Sequence, residues 1–159
     1  MLIELPVIWI VLIDIALWGI IHISVAYIGT VLPDKYINTG FWLFKEFRWE
    51  KNGKLYESIF KIKKWKEFLP DGSAIFKKGF RKKRIVTRDE KYFRQFKLEL
   101  CRAEAVHWIV IFFSPVFFIW NYWWVGYIMI LYAIIANLPC ILAQRYNRIR
   151  FNKMQKNFF

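Results

Sequence analysis

Lysine and arginine are absent from the first 34 residues and again from Ala103 to Gln144, although the 159-residue chain carries a formal net charge of +13. A soluble basic domain spreads its cations over its whole surface. Here all 25 lie between Lys35 and Arg102 or after Gln144, so the cation-free stretches read as segments surrounded by hydrocarbon. Cysteine is scarce: Cys101 and Cys140 stand in no metal-ligand spacing and no disulfide framework, and are expected to be small apolar fillers. Histidine occurs twice, and a carboxylate-bridged metal centre built from Glu-x-x-His units would need a second copy of the unit at Glu104 and His107. Metal binding is therefore not expected. What remains is 57% hydrophobic and 21% aromatic, too apolar for an ordinary soluble domain and long enough for one structural unit, a single membrane domain over 1–159. Anionic lipid headgroups attract juxtamembrane cations by about 1 kcal/mol each. A bilayer partner thus accounts for the basic blocks, and no nucleic acid is expected.

Residues 5–32 are nearly all apolar and as a helix would extend roughly 42 Å, more than the roughly 30 Å hydrocarbon core requires. The start of the chain is not basic, so this segment is expected to be a retained span rather than a signal peptide. The second apolar region is about twice the length of one span, with Trp120, Asn121, Trp123 and Trp124 near its middle. Indoles favour headgroup depth, which predicts a helical hairpin with spans at 105–119 and 122–143, the first bent at Pro115. The fold class is then an all-α membrane protein of about three transmembrane helices, with interfacial amphipathic helices on the cytoplasmic side. The positive-inside rule places region 35–104 and the basic tail 145–159 in the cytoplasm, hence the N-terminus outside and the C-terminus inside.

Within 35–104, Leu55, Ile59 and Ile62 recur at helical spacing, with Tyr56 and Phe60 alongside, which predicts an interfacial helix. Asn52-Gly53 and Pro70-Asp71-Gly72 read as turns; a β-hairpin closed by Asn52-Gly53 is the lesser alternative. Thr87 and Glu90 form a capping box, after which Phe93, Phe96 and Leu100 trace a helical face that can run directly into the second span. The cluster Arg81-Lys82-Lys83-Arg84 reads as a headgroup anchor, or as a dock for donor phosphates.

Glu104 and His107, three residues apart on one helical face, can pair so that the carboxylate orients an imidazole acting as a base; mutual satisfaction of two interface residues is the plainer alternative. His22 and Asp14 are ionisable groups inside the first span, His22 able to line a site and Asp14 expected to be hydrogen-bonded deeper in. Pro139 frees backbone near Ile135, so Asn137 and that backbone can bind a polar group. Gln144, Arg145, Asn147, Arg148 and Arg150 follow in a layer close to that of His107. Anchoring explains their charges without explaining the accompanying amides.

The stretches PDKY (33–36), KWK (64–66) with the following Asp71-Gly72, RAEAVHW (102–108) and YAIIANLPCILAQRYNRIR (132–150) resemble the glycosyl-4,4'-diaponeurosporenoate acyltransferases, small bacterial membrane proteins associated with the last step of staphyloxanthin synthesis. The resemblance runs in order over roughly 33–150. It implies a bacterial cell-membrane enzyme that transfers a fatty acyl group to a sugar hydroxyl of a glycosylated carotenoid. The resemblance carries no catalytic assignment; the residue layer itself makes His107 and Glu104 the expected catalytic pair, while Asn137, Gln144, Arg145, Asn147 and His22 are expected to hold the substrate or the developing oxyanion. Arg148, Arg150 and residues 81–84 take donor phosphates. No bound cofactor is expected beyond an acyl-CoA or acyl carrier protein thioester as co-substrate. The alternatives are a non-enzymatic lipid-binding or scaffold protein, and an acyltransferase for a glycolipid unrelated to carotenoids.

Overall fold

The structure is a computed structural model that describes residues 5–69 and 90–158. Helix α1 covers Val7–Val31, α2 Lys54–Ser58, α3 Glu90–Phe113 and α4 Trp123–Phe158. Short 3₁₀ turns punctuate the chain between α1 and residue 69, and another, Ser114–Ile119, joins α3 to α4. Three helices are long and apolar enough to cross a membrane, so the fold is the expected all-α membrane class. Among the described residues there is no strand, which rules out a hairpin at Asn52-Gly53.

Helix α1 begins after Pro6 and stops before Pro33, whose ring forces Leu32 into an extended conformation. Its buried stripe is Asp14, Trp18, Ile21, Val25 and Gly29, while Val7, Ile8, Ile15 and Ile23 face outward and are exposed. Trp18 stacks on Phe117 at 4.6 Å between ring centroids and meets Tyr132 edge-on at 5.0 Å, which ties all three spans together. The expected hairpin is present. At its tip Trp120 Nε1 and Asn121 Nδ2 both donate to Asp14 Oδ1, at 2.8 and 2.9 Å, so the carboxylate inside the first span fastens α1 to the turn. Pro115 breaks the α-helical ladder where the bend is expected, and the Ser114 hydroxyl donates to the Ile111 carbonyl across it.

Two glycines permit close approach. A Cβ on Gly29 would lie 2.3 Å from Val106 Cγ2, and one on Gly126 would lie 2.5 Å from the Phe118 ring. Gly29→Ala is expected to destabilise the bundle by about 1–3 kcal/mol through overpacking, and Val106→Ala to recover most of that loss. Thermal unfolding of the two single variants and the double variant in detergent measures both; additive losses would refute the contact.

The region between α1 and α3 departs from the sequence expectation. Instead of an amphipathic helix through Ile62, α2 ends at Ser58 and Lys61 takes a left-handed φ of 48°. Tyr56 and Ile62 turn inward against Ala143, Tyr146 and Ile149 of α4, while Ile59 and Phe60 stay exposed. The tail after residue 144 continues α4 without a break, and Phe151 packs on Phe93 and Phe96 of α3. As expected, α3 runs from its basic start into the second span. The capping residue Thr87 and the turn at 70–72 lie outside the described residues.

Candidate functional site

α3 and α4 run antiparallel, which brings the two motifs at their ends away from the hairpin tip face to face. His107 Nδ1 lies 2.9 Å from Asn137 Oδ1, and Asn137 Nδ2 donates to the Ala133 carbonyl at 2.9 Å. A carbonyl can only accept, so the amide nitrogen must face Ala133 and the amide oxygen must face the imidazole. That oxygen in turn requires the proton on Nδ1, which makes Nε2 the basic nitrogen. The residue that fixes the tautomer is thus Asn137, in place of the carboxylate expected from the Glu-x-x-His spacing. Two residues on, Pro139 withholds the N–H that would bond the Ile135 carbonyl.

Glu104 has another role. It is fully buried; its Oε1 accepts from Arg145 Nη1 at 3.0 Å and from the Trp108 indole at 3.4 Å, and its Oε2 accepts from Arg148 Nη1. Arg145 Nε also donates to Glu50 Oε1 at 3.0 Å, and its remaining donors reach the Leu43 and Lys45 carbonyls at 2.7 and 3.2 Å. Two carboxylates and two guanidiniums therefore balance inside the protein, the condition under which buried charge is tolerated. Glu50 accepts further bonds from the Phe47 backbone N–H and the Tyr56 hydroxyl. Burial alone would raise the Glu50 carboxyl, but hydrogen bonds from Arg145, Tyr56 and Phe47, with the Arg145 charge, outweigh it and hold the group below its ordinary value. A depressed carboxyl stabilises the fold at neutral pH, and that contribution is lost as pH falls through the folded value. Burial and the Glu50 carboxylate raise the Tyr56 phenol.

Arg102 closes the bottom of α1. Its guanidinium donates to the Gly29 and Leu32 carbonyls, which the helix end leaves without partners, and pairs with Asp34. Lys66 Nζ donates to Asn147 Oδ1 at 3.0 Å and stands over the Tyr146 ring; burial and the charge of Arg150 lower this ammonium.

The profile of the glycosyl-4,4'-diaponeurosporenoate acyltransferase family matches residues 41–157. Proteins of that name from Staphylococcus aureus strains N315, USA300 and NCTC 8325 are 36% identical over 137 residues, 86% of this chain and 82% of each relative. The chain belongs to this family. No solved structure matches it.

The protein is accordingly an acyltransferase, and the scaffold alternative gives way. The motifs that carry the resemblance also touch one another in space. PDKY meets RAEAVHW through Asp34 and Arg102, RAEAVHW meets the terminal stretch through Glu104 with Arg145 and Arg148 and through His107 with Asn137, and KWK meets the terminal stretch through Lys66 and Asn147. Other sequence expectations are corrected. Arg148 is 2% exposed and Arg145 5%, both turned to protein acceptors, so neither presents its guanidinium to a donor phosphate or an oxyanion. Arg150 is exposed and, with Asn52, Lys54, Glu57, Lys153 and Met154, lines a cleft of about 350 Å³. Roughly three and a half turns of α4 separate Arg150 from Asn137, which turns the two to opposite sides of the helix. Residues 81–84 lie outside the described residues. Gln144 shares the face of Asn137 two turns, about 10 Å, further along α4; its Oε1 is buried without a hydrogen-bond partner among the described residues. His22 lies beside Trp18 on α1.

Sequence reasoning passes over Glu50, Tyr56, Asp34 and Arg102 as site residues. Asp34 and Arg102 carry a usable signal, since each sits in a motif of the family and they have opposite charge. Glu50 carries none, because one acidic residue in a basic loop looks solvated.

Proposed function

We propose that the chain is a membrane O-acyltransferase that esterifies a sugar hydroxyl of a glycosylated carotenoid with a fatty acyl group. The N-terminus is outside the cell membrane and the cationic blocks are cytoplasmic, next to anionic headgroups, where a lipid acceptor and a cytosolic acyl-CoA or acyl carrier protein thioester both arrive. His107 Nε2 takes the hydroxyl proton as the sugar oxygen attacks the thioester carbonyl. The tetrahedral intermediate then expels the thiolate as the carbon–sulfur bond breaks, and the imidazolium returns the proton to sulfur. Asn137 holds the imidazole in the required tautomer, and Gln144 binds the polar arm of the donor as it enters. Glu104, Arg145, Arg148 and Glu50 form the frame that fixes α3 against α4.

The observation that supports this reading best is the pairing of Nδ1 with the Asn137 amide oxygen, because it makes Nε2 a base. The test is acyl transfer by the purified chain in bilayers, with an acyl thioester and a glycosyl ester of a polyene acid, followed by mass spectrometry. One new ester on the sugar is the expected product, and its absence with both donors sinks the proposal. Equal transfer to an alkyl glycoside would assign a broader acceptor. Asn137→Leu keeps the volume and removes the amide; a misplaced imidazole is expected to lose about 10²-fold in kcat with little change in KM. A wild-type rate in that variant would show that Asn137 does not position His107.

A further inference from the structure

Polar side chains inside the spans are for the most part matched by protein groups. Asp14 accepts from Trp120 and Asn121, Thr30 donates to the Ala26 carbonyl, Ser114 to Ile111 and Asn137 to Ala133. On α1, His22 is different: its Nε2 is buried and has no hydrogen-bond partner among the described residues. An imidazole nitrogen enclosed at hydrocarbon depth is unfavourable unless something polar meets it. The ring lies 5.5 Å from that of Trp18, at the junction where Trp18 also contacts Phe117 and Tyr132.

Its depth narrows what that group is. Gly29 packs against Val106, so these two residues mark one level, and His107 follows Val106 directly. Seven residues of α1 place His22 about 10 Å from Gly29 toward the hairpin tip. His22 is therefore deeper in the hydrocarbon than His107 by about 9 Å, the reach of a sugar hydroxyl, its ring and the glycosidic ester taken together. An acceptor whose hydroxyl sits at His107 extends its sugar toward the bilayer centre. The next polar atom is the carbonyl of the ester that joins sugar to polyene acid, and beyond it the polyene offers no polar atom at all.

We infer that His22 donates its Nε2–H to this ester carbonyl and thereby selects acceptors whose sugar is ester-linked. The inference rests on the proposed function, since it takes the sugar to be held at His107. A carbonyl oxygen is an acceptor only, so it suits a donating nitrogen, and an ether-linked glycolipid of the same chain has no such oxygen to offer.

The test compares kcat/KM for a glycosyl polyene ester with that for the matching glycosyl polyene ether in reconstituted bilayers. The wild-type protein is expected to prefer the ester by about five- to tenfold, the worth of one hydrogen bond. His22→Phe, which keeps a ring beside Trp18, is expected to lower kcat/KM on the ester by about five- to tenfold more than on the ether and so to erase the preference. His22→Gln, whose amide can donate, is expected to restore part of it. A wild-type protein that acylates both equally, a preference that persists in His22→Phe, or an equal loss on both compounds in that variant overturns the role of His22 alone. No transfer to either compound by the wild-type protein overturns the proposed function together with it.

Discussion

Replacing His107 with alanine is expected to lower acyl transfer by about 10²–10⁴-fold, the usual contribution of a positioned general base. The loss should fall on kcat, because in the proposed reaction the acceptor is held by its lipid portion and by groups other than the imidazole. His107 is only partly buried and its Nδ1 contact is with Asn137, so thermal unfolding of the variant should stay close to that of the wild-type protein. Steady-state kinetics in bilayers, with unfolding recorded on the same preparation, separates the two effects. A His107→Ala protein that folds and turns over at the normal rate would remove the imidazole from the reaction.

Glu104→Ala should act on stability instead. Removing this carboxylate leaves Arg145 and Arg148 buried with one counter-charge, Glu50, between them, and breaking a buried ion pair from one side costs about 3–5 kcal/mol. Glu50 bonds Arg145 and not Arg148 in the described contacts, so Arg148 bears the larger penalty. The expected result is a large drop in the unfolding temperature and faster proteolysis of the loop around 43–69, which is wrapped against α4 through Arg145. Glu104→Gln keeps an acceptor oxygen and should lose less. If Glu104→Ala melts like the wild-type protein yet is inactive, the carboxylate belongs to the chemistry and the frame described for it is wrong.

The spans can be read from the sequence because hydrocarbon imposes a simple rule, the exclusion of lysine and arginine over a helix-length stretch, and the hairpin tip shows itself through Trp120 and Asn121. The layer of polar residues near His107 is also legible, since helical rise alone gives depth. Pairing within the layer is not. Spacing makes Glu104 and His107 neighbours on α3, but it carries no information about which side chains of α4 face them, and the arginines of α4 hold the carboxylate more strongly than an imidazole would. The same limit explains the region between α1 and α3. Leu55, Ile59 and Ile62 fit a helical period, but the left-handed residues at 51–53 and at Lys61 wind the chain around α4, and what Tyr56 and Ile62 bury against is a helix surface the local pattern does not contain. Arginines at 145 and 148 look like membrane anchors in sequence because anchoring and buried pairing place the same residue type at the same end of a span.

Glu50 and Glu104 emerge from the ribosome before the two guanidiniums that neutralise them, because Arg145 and Arg148 follow them in the chain. Until α4 is inserted, the nascent chain holds two acidic groups with no stable interior to occupy, so the earlier helices cannot settle into their final arrangement. Docking of those helices is thereby tied to the arrival of α4, and a chain cut before Arg145 is expected to be degraded faster than one that carries both guanidiniums.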